Sequence, residues 1–364
     1  MLKMEKTFPD LSIVIIARNE AGNIARSIES VLRAVEHYPQ AEIVLVDSAS
    51  TDETVEIARQ YPISIVRLSP EWFLSASAGR YIGMRYTRGD LILCLDGDME
   101  LVTGWLDQAV PFIVESPEVA GVTGYRRDIH LHDGQISGEQ DQHCDLGGHP
   151  VEVEYFGGAA LYRRSALEQV GGFNPFIISN EEPELCMRLR YAGYKLMCIP
   201  CLMCKNYTLP LRSWEYFVRR FHTNLWLGYG QVPRYHLKTG MLWMIISEQG
   251  SYVVYLIGVL VSIIGLLLTL FFGNILFFGT WVFIVGVFLI VCWAKKRSLS
   301  EIWTSIVLQS FVAYGAVRGF LITPRSPEEY PTDAEIVQVH YNRGGLALRA
   351  GPHELLSLQR EASR

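Results

Sequence analysis

The stretch Leu91-Ile92-Leu93-Cys94-Leu95-Asp96-Gly97-Asp98 decides how the chain is read. Its five consecutive apolar residues predict a strand buried on both faces. The strand closes on two acids separated by one glycine. In an α/β sheet, ligands gather at the carboxyl ends of the strands. Two carboxylates there cannot sit close together at neutral pH without a counter-charge. A divalent cation carrying a phosphate ester is the simplest one, because oxygen ligands suit Mg2+ or Mn2+. Gly97 lets the backbone turn and a ligand approach closely. Taken alone, the stretch reads equally as a polar turn after a core strand.

The residues upstream weigh on that choice. Leu11–Ala17 predicts a strand, followed by Arg18-Asn19-Glu20. A helix then places Ile24, Ile28, Val31, Leu32 and Val35 on one face. Glu42–Val46 is a second buried strand, ending at Asp47. Ser50-Thr51-Asp52-Glu53 has a capping-box pattern and opens a helix to near Gln60. Ile63–Leu68 is a third strand, and a helix over Ala76–Tyr86 leads into the opening stretch. Strands and helices alternating over short links predict a parallel, doubly wound sheet. Arg18 and Glu20, Asp47, and Asp98 then converge on one edge of it. Asp47 and Asp52 suit hydrogen bonds to a base and a ribose, and the helix start after Ser50 offers free backbone N–H groups. No G-x-G-x-x-G follows the first strand and no G-x-x-x-x-G-K-[ST] occurs anywhere. Both observations disfavour a dinucleotide-binding Rossmann enzyme and a P-loop NTPase.

Downstream the order changes. A helix over Thr103–Glu115 and a strand over Val119–Gly124 precede a polar excursion, Arg126–Pro150, read as a loop. Its His130, His132, His143, Cys144 and His149 fit no common zinc spacing and read as solvated loop residues. Gly157 and Gly158 are small enough for a substrate to meet backbone. Glu181-Glu182-Pro183-Glu184 opens a helix. These acids either complement the helix dipole or supply a general base. Cys198, Cys201 and Cys204 read as a reduced strand segment, since an iron–sulfur set lacks its fourth ligand.

Composition sets the outer bounds. The 364 residues carry a net charge of −6 without a basic tract, which argues against a nucleic-acid binder. The seven cysteines read as reduced and cytosolic, and no secretory signal is read. From Ser251 to Ala294 there is no Asp, Glu, Lys or Arg. That is room for two membrane helices of about 20 residues each, near 252–272 and 275–294 with a turn at Gly273-Asn274. Lys295-Lys296-Arg297 follows and assigns this side to the cytoplasm. Trp214, Phe217, Phe221 and Leu225 recur at helical spacing beside Arg219 and Arg220, as an interfacial helix or a core helix. Residues 302–321 read as interfacial, with a third span as the alternative, and 323–364 as a mobile tail. The organisation is therefore a domain over 1–240, a membrane region over 241–322, and the tail.

The constellation resembles family-2 inverting glycosyltransferases of GT-A fold, over roughly Leu11 to Arg234. Ala17-Arg18-Asn19-Glu20 resembles the family's opening. Val46-Asp47-Ser48-Ala49-Ser50-Thr51-Asp52 is similar to its D-D-G-S-x-D, with Ser48 and Ala49 as departures. Ala78-Gly79-Arg80-Tyr81-Ile82-Gly83 is similar to its A-x-R-N-x-G, with Tyr81 in place of Asn. Asp96-Gly97-Asp98 matches its D-x-D, Gly157–Arg164 with Gly171-Gly172-Phe173 its acceptor side, and Glu181-Glu182 its E-D. Gln231-Val232-Pro233-Arg234-Tyr235 is weakly similar to the Q-x-x-R-W of processive synthases.

The resemblance implies an α/β GT-A fold with a doubly wound, mostly parallel sheet and a C-terminal transmembrane hairpin. It also implies roles. Arg18, Glu20, Asp47, Asp52, Arg80, Asp96 and Gly97 would bind a UDP- or GDP-sugar, with Asp96 on the ribose. Asp98 would hold Mg2+ or Mn2+. Glu182 would be the general base, oriented by Glu181, although the family usually has Asp there. Gly157, Gly158, Arg219, Arg220 and Arg234 would contact the acceptor or a phosphate. The family's downstream metal-binding His is absent at Lys205-Asn206, where Asn206 or water would substitute. The expectation is an inner (plasma) membrane enzyme, catalytic domain cytoplasmic, adding sugar to a lipid-linked glycan for an envelope or exported polysaccharide. Other polysaccharide-assembly proteins would be its partners. The alternatives are a polyprenyl-phosphate glycosyltransferase and a non-catalytic nucleotide-sugar-binding scaffold. A nucleotidyltransferase is disfavoured because Arg18-Asn19-Glu20-Ala21-Gly22-Asn23 is a poor triphosphate loop.

Overall fold

The structure, a computed structural model, describes residues 10–132, 135–142, 147–208, 214–249, 251–273, 276, 278–283, 298–342 and 345–346. The chain divides into a first unit, Met1–Leu209 with Arg325–Arg364, and a second unit, Pro210–Pro324. These bounds differ from the boundaries expected at 240 and 322, because the aromatic stretch after 210 packs with the later helices (Phe217 and Trp226 with Tyr252, Val312 and Ala316).

The first unit opens with β1 (Leu11–Ala17), α1 (Ile24–Ala34), β2 (Glu42–Asp47), α2 (Thr54–Ala58), β3 (Ser64–Arg67), α3 (Ala76–Tyr86) and β4 (Leu91–Asp96). Every residue of β1 and β2 is buried, as uninterrupted apolar runs require of strands covered on both faces. β3, β2, β1 and β4 lie side by side and parallel. Ile13, Ile15, Ile28, Leu45, Ile65 and Leu93 are fully buried in one core. Each such side chain contributes about 1.5–3 kcal/mol relative to exposure.

Beyond Asp96 the chain continues through β5 (Met99–Leu101), α4 (Trp105–Glu115), β6 (Val119–His132), β7 (Gln135–Gln142), β8 (Val151–Glu152), β9 (Ala160–Arg163), α5 (Arg164–Val170), α6 (Glu181–Tyr191) and β10 (Lys195–Thr208). The sheet is mixed rather than mostly parallel. β9 runs antiparallel to both β4 and β6, and β5 antiparallel to β10, while β6 and β10 are parallel. Parallel neighbours need long crossovers, which the helices supply up to β4, whereas β7 follows β6 directly and pairs with it antiparallel.

Part of the stretch read as a loop over 126–150 is this β6–β7 hairpin. Arg127 faces Asp141 across it, with Nε donating to Oδ1 at 2.6 Å. Such opposed charges support a two-stranded ladder without an apolar pattern. His143 and Cys144 lie outside the described residues. Cys198 is disulfide-bonded, against the all-reduced reading, whereas Cys94, Cys186, Cys201 and Cys204 are free.

The second unit holds α7 (Trp214–His222), α8 (Gly228–Tyr235), α9 (Leu242–Gln249), α10 (Ser251–Phe272) and α11 (Leu299–Phe320). Tyr252–Phe272 is the one helical stretch among the described residues long and apolar enough to cross a membrane, and its most apolar 18 residues are unburied. The second expected span falls mostly outside the described residues, so a hairpin is not established. α11 packs on α8 at backbone distance: a Cβ on Gly319 would lie 1.9 Å from the Leu227 carbonyl oxygen, and one on Gly230 2.0 Å from that of Ala316.

The stretch after Arg325 is not a free tail over its described part. Glu335–Gln338 forms β11, antiparallel on β3, and Tyr330 is 3% exposed. Residues 347–364 lie outside the described residues.

Candidate active site

Register brings the strand ends together. Ala17 pairs with Asp47, Asp47 with Arg67, and Ile16 with Asp96, so these residues form one row at the carboxyl edge. The loops after β1 and β2 are stitched together there. Asn19 N donates to Ser50 Oγ at 2.9 Å, Thr51 N to Asn19 Oδ1 at 2.8 Å, and Glu20 N to Thr54 Oγ1 at 2.8 Å. Asn19 and Ala49 adopt the left-handed conformation (φ 58° and 56°) to make these turns. Arg18 is exposed beside them, and the Glu20 carboxylate accepts from Asn23 Nδ2.

The two acids of the second loop have separate environments. Asp52 is exposed and accepts from Thr54 and from Ala21 N, so it fastens the two loops. Burial raises its pKa, and these hydrogen bonds together outweigh it and hold the carboxyl below its ordinary value. Asp47 is fully buried. Its Oδ2 takes Ser50 N at 3.0 Å and Arg67 Nε at 3.3 Å, while Oδ1 has no hydrogen-bond donor. Burial raises its pKa. Arg67 carried no motif and could have been found only through the parallel register.

Arg80, on α3, is the centre of the site. It is 1% exposed, and its guanidinium reaches Asp96 Oδ1 at 2.6 Å, Glu181 Oε1 at 2.7 Å and Glu182 Oε1 at 2.8 Å. Burial works against its charge, and the three carboxylates more than compensate, so it stays a cation. Glu181 and Glu182 begin α6, as the sequence predicts, and are 7% and 14% exposed. Burial first, then the charge of Glu182, pushes Glu181 well above the usual carboxylate range. Burial first and then Asp98 do the same to Asp96, against the pull of Arg80, although its side chain is 31% open to water. Glu184, the remaining acid of the run, is bidentate on Arg188 at 2.7 Å and serves the fold.

Glycines let backbone close on these acids. A Cβ at Gly158 would lie 2.1 Å from Asp96 Oδ2, and one at Gly97 3.1 Å from the Ile16 carbonyl oxygen. Gly157 lies beside Arg126, with only 3.1 Å from its Cβ position to Arg126 Nη1. Arg126 is paired with the buried Asp128, Nε to Oδ1 at 2.8 Å. Asn206, opposite Met99 in the β5–β10 ladder, donates from Nδ2 to Asp128 at 2.9 Å. A cavity of about 430 Å3 opens here, lined by Thr123, Arg126, Gln142, Glu154, Tyr155 and Gly158 among others. Arg126, Asp128 and Gln142 had no motif to announce them. Arg219, Arg220 and Arg234 belong to the second unit, where Arg220 lies over the Trp226 ring at 4.9 Å and Arg234 over that of Phe320 at 5.5 Å.

The donor set fits a hard divalent cation. Asp96, Asp98, Glu181 and Glu182 outnumber the positive charge of Arg80, and carboxylate oxygens are the ligands that Mg2+ and Mn2+ take. No group of three or more candidate protein ligands clusters among the described residues. One or two carboxylates completed by substrate phosphates and water is the usual Mg2+ arrangement.

Residues 12–171 match the family described as Glycosyl transferase family 2. The chain is 24% identical over 230 residues to the beta-monoglucosyldiacylglycerol synthase of a Nostoc species, covering 58% of this chain and 48% of that protein. It is 28% identical over 231 residues to the succinoglycan biosynthesis protein ExoA of Rhizobium meliloti, covering 58% and 68%. The match thus spans about half the length of the first relative. The mannosyltransferase PcManGT from Pyrobaculum calidifontis, solved with GDP-Man and Mn2+, superimposes with a TM-score of 0.58 at 17% identity, over 87% of this chain and 88% of that one. That likeness shows a shared GT-A fold. Residues 12–171, which carry the parallel strands, Arg80 and the Asp96-Gly97-Asp98 turn, are what the chain shares with glycosyl transferase family 2.

Proposed function

We propose that the chain is a membrane-anchored, inverting glycosyltransferase that moves a sugar from a UDP- or GDP-sugar to a hydroxyl of a lipid-linked glycan, in envelope or exported polysaccharide synthesis. The observation that carries this reading is the sorting of the two glutamates around Arg80. Glu181 is the more buried and holds the guanidinium, while the more accessible Glu182 is turned by the same guanidinium without being enclosed. Glu182 takes the proton of the acceptor hydroxyl as that oxygen attacks the anomeric carbon. The bond to the nucleoside diphosphate breaks on the opposite side, its electron pair leaves with the phosphate, and the centre inverts. A phosphate acceptor is already anionic and needs no such base, so a base in this position favours a hydroxyl.

The chain's other residues bind the donor. Asp47 has an acceptor oxygen without a donor, which suits an N–H of uracil or guanine once the surrounding loop opens to it. Asp52 holds the loop carrying Arg18 and Glu20 over the donor, and Asp96 meets the ribose. Asp98 would hold Mg2+ or Mn2+ with the diphosphate, and the cation would neutralise charge on the leaving group. The cavity beside Gly157 and Gly158 supports a neutral acceptor, because its arginine is already neutralised by Asp128 and its Tyr155 is 59% exposed. Arg219, Arg220 and Arg234 serve a phosphate of donor or lipid. Tyr252–Phe272 is the anchor, and the relatives' lipid and polysaccharide names agree with a membrane setting.

The test uses the purified full chain with UDP- and GDP-sugars. Turnover should require Mn2+ or Mg2+, vanish with chelator, and fall roughly 10²–10³-fold in Glu182→Gln with donor KM little changed. Near wild-type transfer by Glu182→Gln removes the base assignment and the hydroxyl argument together. Metal-dependent donor binding without any turnover would instead mark a scaffold.

A further inference from the structure

Glu181 and Glu182 work only if α6 and α3 keep a fixed separation, because Arg80 bridges them with bonds of 2.7 and 2.8 Å. The segment leading into α6 is also tied to the start of α3 by short bonds: Ser75 Oγ donates to the Pro175 carbonyl at 2.9 Å, and Ser77 Oγ to that of Asn174. A third tie comes from a distant part of the sequence. Residues 325–338 run back onto the first unit, and Tyr330, 3% exposed, enters a cluster of rings from both sides of the same junction. Its ring meets Trp72 at 5.7 Å, Tyr81 at 5.8 Å and Phe176 at 5.4 Å, all edge-on. Its hydroxyl donates to the Phe73 carbonyl at 2.8 Å. Tyr81 is the neighbour of Arg80 on α3 and donates to the Pro327 carbonyl at 2.9 Å, and the Arg325 guanidinium lies 4.2 Å from the Phe176 ring centre.

We propose that Tyr330 is a positioning residue: a wedge between Tyr81 of α3 and Phe176 of the segment entering α6, which holds Arg80 and Glu182 at their working separation. The proposal rests on the glycosyltransferase reading for what the geometry serves. The wedge does not touch substrate. Its ring fixes the two backbones that present the chemistry, and a displacement of about 1 Å in such groups lowers rates by about 10²-fold. A ring supplies this better than an aliphatic side chain, since edge-on aromatic pairs contribute about 0.5–1.5 kcal/mol each beyond burial.

The experiment compares the full chain with Tyr330→Ala, Tyr330→Phe and Gln338→Ala, below the melting temperature of all four. Gln338 lies on the same segment, donates to the Tyr61 and Ile63 carbonyls at 3.0 and 2.8 Å, and serves as a control for loosening the segment as such. Tyr330→Ala should lower kcat about 10-fold or more with donor KM within about threefold. Tyr330→Phe keeps the wedge and should stay within about twofold of wild type, as should Gln338→Ala. Amide hydrogen exchange over 174–182 should rise in Tyr330→Ala alone. Unchanged kcat or unchanged exchange in Tyr330→Ala overturns the proposal, and so does an equal loss in Gln338→Ala. A wild-type chain without donor turnover fails the glycosyltransferase reading instead, and the exchange measurement still decides the wedge.

Discussion

At the scale of the residue, one buried cation organises three acids, Asp96, Glu181 and Glu182. Arg80 was legible only as a member of a motif, because nothing in its local sequence marks a guanidinium that folds to 1% exposure. The acids were legible as types, and their division of labour was not. It depends on burial, which raises Glu181 and leaves Glu182 more accessible. A pH dependence follows. The folded pKa of Glu181 lies above its ordinary 4.5, so its contribution to stability is complete below that value and is lost as pH rises through the folded pKa. Metal-free protein should therefore melt at falling temperature as pH is raised from about 5 to about 8, and Glu181→Gln should show a shallower fall. Parallel melting curves for the two proteins across this range would sink the assignment.

At the scale of the element, strong periodicity was enough for part of the chain. The strand over Leu11–Ala17 and the helix over Ala76–Tyr86 form as their apolar patterns predict. The β6–β7 hairpin did not announce itself, because its pairing rests on opposed charges such as Arg127 and Asp141 rather than on an alternating apolar face. The segment before β9 was recognised by its small residues, and the structure supplies the reason: backbone at Gly158 packs against Asp96 Oδ2. Gly158→Ala would put a methyl group 2.1 Å from that oxygen. It should lower kcat/KM by about 10²-fold through displacement of Asp96, with the global fold retained by circular dichroism. Wild-type kinetics in this variant would mean that the segment has room to move.

At the scale of the whole molecule, the chain is two units joined twice, at 209/210 and 324/325. The second contains the apolar helix α10, whose side chains Leu260 and Ile264 are 57% and 47% exposed. An arginine at the middle of a membrane helix costs about 2.5–3.5 kcal/mol on insertion scales. Leu260→Arg with Ile264→Arg should therefore move the chain out of the carbonate-washed membrane fraction. Retention there would show that α10 is not the anchor. The return of residues 325–338 to the first unit has no counterpart in hydropathy. Tyr330 is one ring in a polar, proline-containing stretch, and its burial depends on Trp72, Tyr81 and Phe176, far away along the chain.

The sequence by itself determined the parallel strands, the acids at their ends, the start of α6 at Glu181 and the apolar helix, because each is encoded within one or two turns or strands by local pattern. Only the tertiary structure decided that Arg80 bridges Asp96 to Glu181 and Glu182, that Asp47 keeps an unpaired buried oxygen, that the sheet turns antiparallel after β4, and that Tyr330 closes on α3. These features arise from burial and from contacts between residues distant in sequence, whose energies exist only once the layers have packed.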